Sequence, residues 1–258
     1  MSTAVATDPR DVAEYALRLG DDALILAQRL SEWSARAPEL EEDMALTNIA
    51  LDLLGQARNL LTIAGDCEGD GRTEDDLAFL RDERQFRNLR IVEQLNGDFA
   101  HTIVRQLLFS TYQLELYAEL QHSSDEGLAA VAAKAAKEVT YHRDHAVKWT
   151  LRLGDGTDAS QGRMEAALER LWPYADELFE TDALTQRLVD SGVASDPELL
   201  RATWDPFVAS VLEQATLAIP EIGDRHPRGG RRGEHGEVLG LLLAEMQWLH
   251  RSHPGATW

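Results

Sequence analysis

At 258 residues and 44% hydrophobic content the chain has ample material for a core, and a single domain over 1–258 is expected. Its 25 basic and 45 acidic side chains leave a net charge of −20, which repels phosphate backbones and anionic bilayers and makes nucleic acid and membranes poor partners. The single cysteine, Cys67, excludes an intrachain disulfide and a zinc–cysteine site. The first ten residues lack a secretion signal and no stretch approaches about 20 uncharged apolar residues, so a cytoplasmic protein is expected.

In chain order, the spacing predicts a first helix over 11–36, with Leu19, Ala23, Leu26, Leu30 and Trp33 on one side. Gly20 is its weak point, and Asp21 or Asp22 offers an alternative start. Pro38 breaks the chain, and a second long helix opens near Glu39 with Glu41, Glu42 and Asp43 at its positive end. Along it Leu46, Ile49, Ala50, Leu53, Ala57, Leu60, Leu61 and Ala64 form one apolar stripe ending near Gly65. The link between these helices is short, which makes them antiparallel neighbours.

Thr73, followed by Glu74, Asp75 and Asp76, predicts a shorter helix toward Asn88. Its charge (Arg81, Asp82, Glu83, Arg84, Arg87) places it on the surface or at a contact between subunits. Asn96-Gly97 marks a turn before a third long helix over 98–122, and Ser124-Asp125-Glu126 caps a fourth over 128–153, whose AAVAAKAAKE turns have high intrinsic propensity. Further helices are expected over 161–179, 197–217 and 235–251. With no alternating strand pattern anywhere, the expectation is all-α: an antiparallel helical bundle with additional C-terminal helices. The run DRHPRGGRR at 224–232 concentrates four arginines in a Gly/Pro-rich loop, read as a solvated connector or as a dock for an acidic partner or an anionic cofactor tail.

Bundles of this shape can hold two metal ions through carboxylates and Glu-x-x-His pairs, because residues three apart share a helix face. The second helix offers Leu53 and Gln56 at that position, neither a good iron ligand, and Asp52 is rotated roughly 100° away. On the fourth helix Glu138, His142 and His145 share a stripe at spacings of four and three, readable as half a metal site or as a buried hydrogen-bonded network, with or without Tyr141. Asp98 and His101 stand three apart on the third helix, where Asp98 is also an ordinary helix-start residue. Glu138, His142, Asp98 and His101 are thus vestigial metal candidates. No nucleophile elbow, phosphate-binding loop or dinucleotide fingerprint occurs, and Trp33, Trp149, Trp172, Trp204 and Trp248 read as core or interface residues.

Blocks spread along nearly the whole chain carry a family resemblance: LSEW at 30–33, APELEED at 37–43, IALDLLGQAR at 49–58, RDERQF at 81–86, VEQ at 92–94 and NGDFA at 96–100. Lys137-Glu138, Tyr141-His142, LGDGT at 153–157, Leu239-Gly240 and LLAEMQ at 242–247 continue it. In these the sequence resembles the C subunits of bacterial ring-1,2-phenylacetyl-CoA epoxidases. The resemblance implies a ferritin-like, structural subunit of a multicomponent oxygenase of phenylacetate breakdown. It also implies a partner A subunit that carries the di-iron site and binds phenylacetyl-CoA, and a reductase with flavin, an iron–sulfur cluster and NADPH. Laid without gaps over the A subunit from Ala37-Pro38 onward, that subunit's Glu-Ala-Gly-His falls on Leu53-Leu54-Gly55-Gln56, so no ligand role carries over. The expectation is a non-catalytic chain without a cofactor of its own, forming a heterodimer and larger assemblies with the A subunit. The rival reading is a di-iron or di-manganese oxygenase in its own right, with a rearranged site.

Overall fold

The computed structural model describes residues 7–221, 223 and 226–256. Among them ten α-helices and no strand occur: α1 (Pro9–Ser31), α2 (Leu40–Glu68), α3 (Glu74–Phe79), α4 (Arg90–Glu93), α5 (Phe99–Leu120), α6 (Glu126–Gly154), α7 (Asp158–Leu171), α8 (Ala183–Asp190), α9 (Pro197–Gln214) and α10 (Glu237–Ser252). Short 3-10 turns occupy Glu83–Gln85, Trp172–Phe179 and Gly230–Arg232. The chain forms two compact units: one from the residues up to Leu95 together with the chain from Gly229 on, the other from Asn96–Arg228.

In the first unit, Asp8 caps α1 by accepting from the Arg10 amide, and Pro9 sits at the first position, where its missing N–H costs nothing. The helix runs unbroken through Gly20. A Cβ there would lie 2.9 Å from Leu61 Cδ2 and 3.4 Å from Leu60 Cβ, so the glycine lets α2 approach closely. The alternative start at Asp21 or Asp22 is therefore corrected: both acids are buried in mid-helix. All eight residues of the predicted α2 stripe are buried, and each buried leucine contributes roughly 1.5–3 kcal/mol. The helix ends on Gly69, whose φ of +76° is the left-handed conformation of a helix stop.

The helix predicted toward Asn88 is corrected as well, since α3 stops at Phe79 and only a 3-10 turn and the four-residue α4 follow. The cause lies in α1. Asp21 Oδ2 accepts from the Arg87 amide at 2.8 Å and Asp22 Oδ1 from the Leu89 amide at 2.7 Å, capturing donors that a continuing helix would use internally. Arg81 is not a surface residue but a buried one. The last helix, α10, docks on this segment through Gln247, whose Nε2 donates to the carbonyls of Ala78 and Arg81.

In the second unit, Asp98 and Asp125 cap α5 and α6 by accepting from the amides of His101 and Leu128. The short link between these two long helices makes them antiparallel neighbours. Trp204 of α9 is buried and donates through Nε1 to the Leu108 carbonyl at 3.0 Å, tying α9 to α5. The helix predicted over 161–179 ends at Leu171 because Pro173 brings no N–H, and 3-10 geometry takes over. Helix α8, capped by Asp182, has no counterpart in the sequence reading.

Candidate functional site

Three helix faces bear on a metal site. On α2, Leu53 is fully buried and Gln56 nearly so, which places hydrocarbon and an amide on the inward face of this helix. On α6, His142 and His145 are buried, while the Glu138 side chain is 22% exposed with Lys134 Nζ 3.8 Å from its Oε1. Tyr141 is half exposed and so lies outside any buried network on this face. Its ring instead lies 6.2 Å from that of His145.

On α5, Asp98 is exposed and its Oδ1 accepts from the His101 amide at 3.0 Å, so its cap role holds. His101 is buried, and its Nε2 has no hydrogen-bond partner. It lines a recess of about 440 Å³ with Asp98, Asp158, Arg163 and Arg170. Burial, then the charges of Arg105 and Arg170, push the imidazole down to about 4, with Asp98 offsetting only part of this. His101 is neutral at pH 7.

A carboxylate-bridged metal pair needs about four inward carboxylates and two imidazoles. Leu53 and Gln56 do not fit that requirement, Asp98 is engaged with its own helix, and Glu138 faces a lysine at the rim. Among the described residues no group of three or more His, Cys, Asp or Glu comes together that could hold a metal ion. The donor set does not fit an iron pair.

Sequence reasoning missed a different constellation in the first unit. Arg81 forms a two-pronged ion pair with the fully buried Asp21. Asp22 is paired the same way by Arg231, at 2.7 and 3.1 Å, and Arg231 Nη1 also donates to the carbonyls of Arg18 and Arg87. Burial raises the Asp22 carboxyl to about 6, with Arg231 and the Leu89 amide holding it down from going further.

Beside them Glu93, fully buried, accepts from His235 Nδ1 at 2.8 Å, from the Gly236 amide at 2.6 Å and from Asn88 Nδ2 at 3.0 Å. His235 Nε2 meets the Phe86 carbonyl at 3.0 Å, so both ring nitrogens face acceptors. Burial alone would lower the imidazole, but the Glu93 hydrogen bond, then Phe86 and the Glu93 charge, raise it above its ordinary value.

Within the arginine run at 224–232 the reading is corrected for Arg231 by the same geometry. Asp224 and Arg225 lie outside the described residues. Arg228 stands 4.0 Å from Asp176, which also pairs with His226 and Arg201, whereas Arg231 is drawn into the first unit by Asp22. The acidic partner of Arg231 lies within this chain. The signal was two adjacent acids inside the apolar run ALRLGDDALILA, which demand buried counter-charges that the sequence does not locate.

Along nearly its whole length the chain is similar to known proteins. Residues 2–258 match the family model described as "Phenylacetic acid catabolic protein". The chain is 50% identical over 244 residues to the C subunit of the 1,2-phenylacetyl-CoA epoxidase of Escherichia coli (strain K12), covering 95% of this chain and 98% of that protein. Among solved structures it resembles "Protein 19 with aldehyde deformylating oxidase activity from Synechococcus", with a TM-score of 0.58 and 17% identity over 84% of this chain and 95% of the other. The last likeness bears on fold alone, and the fold is the all-α, ferritin-like one expected.

Proposed function

Because this chain belongs to the phenylacetic acid catabolic protein family, we propose that it serves phenylacetate catabolism as the C-type, non-catalytic subunit of a phenylacetyl-CoA 1,2-epoxidase. It packs against a catalytic A subunit and supports it. The observation that carries this reading is the inward face of α2, where buried Leu53 and Gln56 offer hydrocarbon and an amide rather than carboxylate and imidazole. Near-full-length similarity to a known C subunit supports the assignment to this complex.

The chemistry then belongs to the partners: iron and phenylacetyl-CoA to the A subunit, and flavin, iron–sulfur cluster and NADPH to the reductase. The charge of −20 is consistent with this division, since an acidic body is a poor dock for anionic CoA. A cytoplasmic location is part of the proposal, and among the described residues no helix is long and apolar enough to cross a membrane. Expressing the A subunit with and without this chain, then counting metal in each purified component, tests it. The A subunit is expected to be soluble and active only in company, with iron confined to it. An equally soluble and active A subunit alone ends the supporting role, and about two irons per copy of this chain establishes the rival oxygenase reading.

A further inference from the structure

Helix α2 carries a second seam, opposite in character to its buried one. Leu40, Met44, Thr47, Leu51, Leu54 and Arg58 follow each other at spacings of four, three, four, three and four, the 3.5-residue repeat of helices that pack along their length. All six are exposed, with Leu40 at 71%, Leu51 at 60%, Met44 at 59% and Leu54 at 43%. Four of the six are apolar side chains in a pairing register, and among the described residues nothing covers them.

Gly55, beside this seam, supplies an independent observation. Glycine inside a helix is destabilising relative to alanine, and here a Cβ would meet nothing within 4 Å. The contrast with Gly20, whose missing Cβ makes room for Leu61, is direct. Among the described residues nothing packs against the bare backbone at Gly55, whereas a second helix brought close against it would explain it. Below Gly55 a recess of about 540 Å³, lined by Leu51, Leu54, Arg58, Ala78 and Phe79, continues the apolar surface onto α3, and Leu80 just past its end is also half exposed.

The rim identifies the occupant. Glu41, Asp43 and Asp52 flank the seam, Glu74 and Asp75 line the recess, and Arg58 is already paired with Glu74 at 3.2 Å. A second copy of this chain would bring acid against acid and add two bodies of charge −20. From Leu40 to Arg58 the seam is roughly 27 Å long and about 10 Å wide, about a third of the ~800 Å² per partner of a stable complex, so the occupant must also reach the recess and α3.

Resting on the function proposed above, we propose that the outward seam of α2, with Gly55 and the α2–α3 recess, receives a helix of the A subunit. That helix carries an apolar 3-4 stripe flanked by lysine or arginine.

The test measures binding of the full-length chain to the A subunit of the same organism, with melting of the isolated chain as the control for folding. Leu51→Asp, at an exposed position, should leave the melt unchanged and weaken binding at least 100-fold. Leu199→Asp, an equally exposed leucine on α9, should bind as wild type. Gly55→Ala should raise the isolated chain's Tm by about 2–4 °C and still weaken binding about 10-fold. Leu51→Asp binding as well as wild type overturns this surface while leaving the proposed function intact. A homodimer that Leu51→Asp dissolves overturns the choice of occupant. A wild-type chain that never binds the A subunit sinks the proposed function and this inference together.

Discussion

Each compact unit buries a histidine near a helix start, His235 just ahead of α10 and His101 in the first turn of α5, and their pKa values move in opposite directions. Burial and a helix N-terminus act on both in the same direction, against the imidazolium. His235 is nevertheless raised, because Glu93 and the Phe86 carbonyl occupy its two nitrogens. His101 is pushed to about 4, because it faces Arg105 and Arg170 and its Nε2 meets no acceptor. Neighbours, not depth, set the direction of the shift. The first unit is stitched by the buried pairs Arg81–Asp21, Arg231–Asp22 and His235–Glu93, while among the described residues the polar side chains of α5 and α6 do not converge on a carboxylate cluster.

The severest way to break this contrast is to remove one partner from the matched set. Arg231→Met should cost about 3–5 kcal/mol in chemical denaturation, because Asp22 would be left buried without its guanidinium. The loss should grow as pH rises past about 6, where the Asp22 carboxyl ionises.

Glu93→Gln should cost about 1–3 kcal/mol, and its pH signature separates it from a packing defect. The folded-state pKa of His235 is raised, so its stabilisation is full below the unfolded value of about 6.5 and is lost as pH rises through the raised value. Urea midpoints of wild type across that window should fall with rising pH, and the variant's should fall less. Equal slopes would mean that Glu93 does not hold the proton on His235.

The smallest expected effect belongs to His101. Its folded-state pKa is depressed, so the unfolded chain takes up the proton first and stability drops as pH falls from about 6.5 to about 4. His101→Gln should flatten that acid limb and leave stability above pH 7 nearly unchanged. An undiminished acid limb in the variant would show that the imidazole is not the titrating group.

Much of the architecture was readable in advance. The long helices α1, α2, α5 and α6 follow from periodicity and from caps at Asp98 and Asp125, and the eight residues of the α2 stripe, all buried, were identified from spacing alone. The segment between α3 and α5 was misread because Arg81, Asp82, Glu83, Arg84 and Arg87 resemble a solvated helix face. The Arg87 and Leu89 amides in fact serve carboxylates more than 60 residues away. Helix α8 escaped because eight residues are too few for periodicity to stand out. Of the candidate site, the burial of Leu53 and Gln56 was legible from spacing, whereas the surroundings of Glu138 and Tyr141 depended on exposure that spacing cannot supply.

The sequence by itself determined which stretches are helical, which stripe of α2 is buried and what residue types meet there, because these depend on local periodicity and side-chain chemistry. Only the tertiary structure decided that Gly20 is a packing contact and Gly55 an open one, and that Arg231 reaches Asp22 across 209 positions. Those outcomes depend on which distant groups share a low-dielectric interior, where a charge finds its partner in space rather than along the chain.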